Sequence, residues 1–210
     1  MEKFINKTVN YYESSFKKFG NNFKGMNWPS RKGQYKRFEE LIKIANLKDK
    51  TIHDVGCGNG EFLRFLKKKN IKFKFFNGSD ISNIIIQQSK KNFKNYKNVN
   101  FECLDILNQK KIKKFDYIFA SGIFNIKNNF DKKSWKKYVF KIIKKLFENS
   151  RKGCSFNLMT PFTTYREKKI YYQSIDDLMY YLRKNVSKKI IINHSYNLWE
   201  YTVYIYKDKS

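Results

Sequence analysis

Over the first 46 residues, apolar positions recur at helical spacing. Phe4, Ile5, Val9, Tyr12, Phe16 and Phe19 predict a helix over 3–19. Tyr35, Phe38, Leu41, Ile42 and Ala45 predict a second over 31–46. The Gly/Asn/Pro-rich stretch between them, Gly20 to Ser30, reads as a turn. From residue 50 the rhythm changes to strand, turn, helix, repeated. Strands are expected at Thr51–Val55, Lys72–Ser79, Val99–Leu104, Phe115–Ser121 and Ser155–Met159. Helices are expected at Gly60–Lys69, Ser82–Phe93, 131–149 and Ile175–Arg183. Such alternation builds parallel βαβ units into one doubly wound sheet. The end of the chain breaks it. Lys189–His194 and Trp199–Tyr206 are β-rich and separated only by Ser195–Leu198, too short for a parallel crossover, so they should form an antiparallel hairpin. The expected fold is α/β, with about seven strands, mostly parallel.

The 210 residues suit one domain, 1–210, with 1–48 as a helical lid and 49–210 as the core. With 41% hydrophobic and 18% aromatic residues, the chain is too apolar for disorder. No apolar run approaches the roughly 20 residues of a membrane span. The opening Met1 to Lys7 lacks the apolar stretch of a signal peptide. Cys57, Cys103 and Cys154 are odd in number and widely spaced, which argues against a disulfide framework and a cysteine zinc site. A cytoplasmic protein with no resident metal and no membrane span is expected. The formal charge is +27, from 45 Lys+Arg against 18 Asp+Glu. Charge of this size attracts polyanions. Only six of the basic residues are arginine, however, and the planar fork that reads phosphates and bases is arginine's. Lysine is spread along the whole chain beside abundant Asn, Ile, Phe and Tyr, as a compositional bias would leave it. Lys67-Lys68-Lys69 and Lys110-Lys111 fall where helix ends or solvated loops are expected.

The sharpest local signal is Asp54-Val55-Gly56-Cys57-Gly58-Asn59-Gly60, where a strand ends and a helix begins. Alternating glycines permit close backbone approach to a ligand and turns closed to other residues. The spacing is not the dinucleotide G-x-G-x-x-G, because position 61 is Glu, and no G-K-[ST] follows. Asp80 closes the next strand, at the spacing that places a carboxylate on a ribose diol. Asp105 closes the third, positioned to accept from an adenine amino group, with Ile81 and Ile106 against the base. Any one of these acids reads equally well as a helix cap; the ordered set points to a nucleoside.

These motifs resemble the class I S-adenosylmethionine-dependent methyltransferases, a Rossmann-like family, over about residues 50–206. Phe115 to Asn125, Phe156-Asn157-Leu158-Met159-Thr160 and His194 to Thr202 resemble a small bacterial group often encoded among surface-polysaccharide genes. The resemblance implies S-adenosylmethionine as cofactor. It places Asp54, Gly56, Cys57, Gly58, Gly60, Asp80, Ile81, Asp105, Ile106, Ser121 and Gly122 around it. Arg37, with Gln34 and Trp28, is the candidate clamp for the methionine carboxylate, and Gly25 to Ser30 a lid. Phe124 would shape the methyl pocket and Asn125 orient the acceptor. No proline accompanies Asn125, unlike the Asn/Asp-Pro-Pro-aromatic motif of enzymes that methylate nucleobase or glutamine amino groups. His194 is the candidate base, with Tyr196 beside it, whereas His53 reads as a buried structural histidine. Tyr165, Arg166 and Tyr171-Tyr172 would wall the acceptor. The expected reaction is O-methylation of a small molecule such as a sugar, a nucleotide-linked sugar or a phosphoramidate-type capsule precursor. The alternatives are an RNA methyltransferase using the basic surface, and a non-catalytic adenosyl-ligand-binding protein. The sequence leaves the oligomeric state open.

Overall fold

The computed structural model describes residues 2–108 and 113–208; the Lys110-Lys111 pair lies outside them. Seven strands form one sheet: β1 (Thr51–Val55), β2 (Phe75–Asp80), β3 (Val99–Cys103), β4 (Phe115–Ala120), β5 (Ser150–Met159), β6 (Ile190–Asn193) and β7 (Glu200–Tyr206). Their order is β3-β2-β1-β4-β5-β7-β6. Strands β1 to β5 pair in parallel, and β7 runs antiparallel to both β5 and β6. This is the Rossmann-like, mostly parallel sheet with a C-terminal antiparallel hairpin that the pattern predicts. The hairpin folds so that β7 enters between β5 and the edge strand β6.

Six α-helices accompany the sheet among the described residues: α1 (Glu2–Phe19), α2 (Arg31–Leu41), α3 (Glu61–Lys68), α4 (Asn83–Asn92), α5 (Lys132–Asn149) and α6 (Ile175–Asn185). Ser30, Ser82, Asp131 and Ser174 cap α2, α4, α5 and α6, each accepting a first-turn N–H. One core cluster joins Trp135, Val139, Ile143 and Leu146 of α5 and Leu178 and Leu182 of α6 to Ile118, Phe156 and Val203 of the sheet. The other joins Phe38 and Leu41 of α2 and Phe62, Phe65 and Leu66 of α3 to Ile52, Phe76 and Phe119. Both faces are covered, as a parallel sheet requires.

Two expectations about boundaries are corrected. Strand β5 begins at Ser150, directly after α5, and not at Ser155. The charged Arg151 and Lys152 that disguise its start are exposed. Helix α2 ends at Leu41 and a short 3-10 turn, Ile42–Ile44, completes the span. Of the 1–48 segment, α2 is built into the core, with Phe38 and Leu41 buried and Glu40 O accepting from the Tyr204 hydroxyl at 2.8 Å. The part that overlies the sheet's carboxyl edge is α1 with the turn that follows it.

Candidate active site

Parallel strands β1, β2, β3 and β4 all end at one edge of the sheet, and the crevice there is where such folds bind ligands. The glycine loop leaves β1 with Gly56, Gly58 and Gly60 at φ of 74°, 54° and 83°, the left-handed region that favours glycine. Ser79 O accepts from the N–H groups of Gly56 and Cys57 at 2.7 and 2.9 Å, which ties the loop to β2. A Cβ on Gly60 would meet the Phe93 ring at 2.5 Å, so this glycine serves packing; it is not among the cavity-lining residues.

Two cavities adjoin at this edge. The first is lined by Asp54, Gly56, Cys57 and Gly58 of the loop, by Asp80 and Ile81, by Asp105 and Ile106, and by Ser121 and Gly122. Gln34 and Trp28 close it from the N-terminal side. The residues that the resemblance assigns to the cofactor therefore converge, with Arg37 and Gly60 as the exceptions. Thr8 and Tyr12 of α1, Met26, and Trp135 and Tyr138 of α5 also line it. Met26 belongs to the Gly25–Ser30 stretch expected as a lid; sequence reading missed the four helix residues because a buried helix face does not show what it covers.

The electrostatics of the first cavity suit a polar ligand. Asp54 is buried, and burial together with the nearby Asp80 pushes its carboxyl up to about 8. Burial also raises Asp80, against the opposing effect of N–H groups donated by Ser82 and Gly58, each at 3.0 Å. Asp105 uses Oδ1 to accept from Leu107 N at 2.9 Å, while its buried Oδ2 has no partner. Thr8 Oγ1, Gln34 Oε1 and Ser121 Oγ are likewise buried and unpartnered. Orphaned polar atoms are costly and uncommon. Four of them around one cavity, with the buried carboxyl of Asp54 and the half-buried one of Asp80, fit a ligand that is a nucleoside at one end and cationic at the other.

The second cavity shares Tyr12, Met26, Trp28 and Gly122 with the first. Its walls include Tyr11, Phe162, Tyr165, Tyr196 and Trp199, with His194 and Asn125. Phe162, Tyr165 and Trp199 are exposed at 70%, 63% and 45%, which leaves an aromatic rim open to a visitor. Tyr196 is buried, its hydroxyl 2.8 Å from Thr202 Oγ1, and burial raises its phenol far above the ordinary value. His194 is exposed, its ring 6.0 Å from that of Tyr201.

Other expected residues stand elsewhere. Arg37 lines only the second cavity, and its guanidinium is spent on protein: Nε and NH2 donate to Glu200, and NH1 to Gly33 O at 2.9 Å. Its clamp on a methionine carboxylate is corrected to a buried ion pair with Glu200 at 2.6 Å, roofed by Trp28, whose ring lies 4.8 Å from the guanidinium carbon. Phe124 is fully buried edge-on to Phe156 and lines neither cavity. Tyr171 is buried with its hydroxyl donated to Gln173, and exposed Arg166 donates to Pro161 O; neither lines a cavity. His53 is buried, with Nε2 2.8 Å from Ser79 Oγ, and burial lowers its pKa to about 3, so it stays neutral.

The comparisons with known proteins agree with this geometry. A protein of Mycobacterium tuberculosis named as a methyltransferase is 28% identical over 169 residues, covering 79% of this chain and 99% of its own. The N-methyltransferase NodS of Bradyrhizobium japonicum, in complex with S-adenosyl-L-homocysteine, shares the fold at a TM-score of 0.69 and 13% identity, with 96% and 99% of the two chains covered. Magnesium protoporphyrin IX methyltransferase of Synechocystis, with bound SAM, does so at 0.67 and 14%, with 97% of each covered. The methyltransferase-domain family model matches residues 46–195, from the end of α2's 3-10 turn to the terminal hairpin. With that match spanning both the glycine loop and the strands that close the crevice, the chain belongs to the methyltransferase domain family.

Proposed function

We propose that this methyltransferase takes its methyl group from S-adenosylmethionine and transfers it to a hydroxyl oxygen of a small molecule. A sugar, a nucleotide-linked sugar or a phosphoramidate-type precursor of a capsule or surface polysaccharide is the acceptor class. The observation that carries this reading is the pair of adjoining cavities, one lined by carboxylates and orphaned polar atoms, the other by aromatic side chains. In the first, Asp80 would hold the ribose hydroxyls, Asp105 Oδ2 the adenine amino group, and Asp54 the ammonium. The bound cofactor supplies an activated methyl group on a sulfonium, so the protein's share is alignment, exclusion of water and management of one proton. Trp28, Met26 and Tyr12 border both cavities and would exclude water from the junction. The aromatic rim offers flat apolar faces to a sugar ring. His194 and Tyr196 line the second cavity, where His194 would take the hydroxyl proton and Tyr196 would stay a neutral phenol.

Calorimetry with S-adenosylhomocysteine tests the first half: saturable one-to-one binding is expected. Labelled methyl transfer to a panel of sugars and nucleotide-linked sugars tests the second. Label in an ether that survives mild alkali is the expected product, and His194→Ala should lower turnover without weakening cofactor binding. Label found in RNA alone would redirect the assignment.

A further inference from the structure

A polar network joins α2, β5, β7 and the loop after β4 beneath the second cavity. Glu200 Oε1 accepts from Arg37 Nε at 2.9 Å, from Arg37 NH2 at 2.6 Å and from Asn125 Nδ2 at 3.2 Å. Glu200 Oε2 accepts from Arg37 Nε at 2.9 Å and from Asn157 Nδ2. Asn157 in turn accepts from Gly122 N through Oδ1 at 3.0 Å. Glu200 is 1% exposed, Arg37 9%, Asn125 8% and Asn157 0%.

This arrangement decides which way the Asn125 amide points. An amide has a donating and an accepting end, and exchanging them costs little unless a neighbour discriminates. A carboxylate paired with a guanidinium only accepts, so Asn125 must give it the NH2 end. The backbone N–H of Gly122 and the same carboxylate settle Asn157 by the same logic. Asn125 Oδ1 is consequently left over, buried, without a partner and on a residue that lines the second cavity. A leftover acceptor asks its ligand for a proton.

Resting on the reading of that cavity as the acceptor site, we infer that Asn125 is a specificity-determining residue whose amide is locked by Arg37 and Glu200 as positioning residues. Asn125 Oδ1 then selects acceptors whose reacting atom carries a donatable proton, hydroxyls and amines, against carboxylates. A carboxylate would set oxygen against oxygen, with no donor at Asn125 to relieve it. Glu200 has no lone pair to spare and takes no part as a base.

Side-chain amide spectra of the 15N-labelled full-length protein with S-adenosylhomocysteine test the lock. The Asn125 NH2 pair, assigned by its loss in Asn125→Ala, should exchange slowly with solvent. Glu200→Gln should speed that exchange at least tenfold, while the Asn77 pair, which donates to Glu102, stays unchanged. If Glu200→Gln does not fold, Arg37→Met combined with Glu200→Gln removes both charges and is measured instead. Fast exchange in the wild type, or exchange indifferent to these changes, overturns the lock. Selectivity is read with labelled S-adenosylmethionine on glucosides, amino sugars and uronic acids. Methyl ethers are expected; an N-methyl product would uphold the selectivity but overturn the assignment to oxygen, and an alkali-labile methyl ester as main product overturns the selectivity. With a productive acceptor, Asn125→Ala should raise its KM at least tenfold and leave S-adenosylhomocysteine affinity within twofold. An unmoved KM overturns the role of Asn125. Failure of the wild type to bind S-adenosylhomocysteine would instead remove the methyltransferase reading itself, a result separate from each of these.

Discussion

At the scale of single residues, the acids of the first cavity carry the most definite consequences. Asp54, raised to about 8 by burial and by Asp80, holds its proton at neutral pH in the free protein. A ligand ammonium placed against it favours the ionised form, so binding should expel a proton. Affinity for S-adenosylhomocysteine should therefore rise with pH up to about 8. Above that Asp54 is already ionised in the free protein, no proton remains to be expelled, and the rise should level off. Calorimetry at pH 7 in buffers of differing ionisation enthalpy should show net proton release for S-adenosylhomocysteine and none for 5′-methylthioadenosine, which lacks the amine. Equal proton counts for both ligands would take Asp54 out of contact with the amino-acid end. Asp80 behaves differently, because its oxygens already accept from Gly58 N and Ser82 N and hold the loop in its ligand-ready shape. Asp80→Ala removes both this brace and the ribose contact. Binding of S-adenosylhomocysteine and of adenosine alone should weaken by about 1–3 kcal/mol; unchanged affinity by calorimetry withdraws the ribose assignment.

Between elements, the pair that ties α2 to β7 governs stability as well as the acceptor cavity. Arg37 and Glu200 are 163 positions apart and almost fully buried. Removing one partner strands the other charge, a loss of about 3–5 kcal/mol, whereas removing both is often tolerated. Glu200→Ala should lower the urea midpoint by that amount of stability, and Arg37→Met/Glu200→Gln should recover most of it; a single variant as stable as wild type would show the pair to be solvated. This pair also shows where sequence reading stops. The glycine loop and its acids were legible because a turn at positive φ and a carboxylate at a strand end are local demands, written within a few residues of one another. Likewise the hairpin followed from the shortness of Ser195–Leu198 alone. Arg37 was assigned to a ligand because nothing near it in sequence announces Glu200, and Phe124 because a loop position does not disclose that its ring turns into the core against Phe156. The spacing of Tyr12 marks a helix face and nothing in the sequence singles out Tyr138; only the docking of α1 and α5 around the crevice turns them into cavity walls.

For the molecule as a whole, the unresolved tension is a charge of +27 on a protein assigned a small-molecule substrate. The placement of that charge argues for the assignment. Basic residues occupy the last turns of α1 (Lys17, Lys18), α3 (Lys67, Lys68), α4 (Lys90, Lys91) and α6 (Arg183, Lys184), where they complement the negative end of the helix dipole. The ends of α1 and α4 meet, with Asn21 donating to Asn92 at 3.0 Å, and Lys67 of α3 lies over the Tyr96 ring just past α4, so three of these basic ends are neighbours whose role at the helix termini already accounts for them. At the second cavity the lining lysines are Lys24 and Lys169, and Lys169 is paired with Glu167 at 3.1 Å. An enzyme that guides RNA to its methyl donor should instead concentrate cations beside that cavity. Lysine spent on helix ends, with little of it lining the second cavity, predicts non-specific attraction, with a dissociation constant of about 1 μM or weaker at physiological salt. Titration of a labelled RNA oligomer at several salt concentrations should show that weak binding, and nuclease treatment should leave methyl transfer to the small acceptor unchanged. Saturable nanomolar binding that survives physiological salt, with turnover abolished by nuclease, would mean that the helix-end lysines form a track for RNA, and the acceptor would then be sought in nucleic acid.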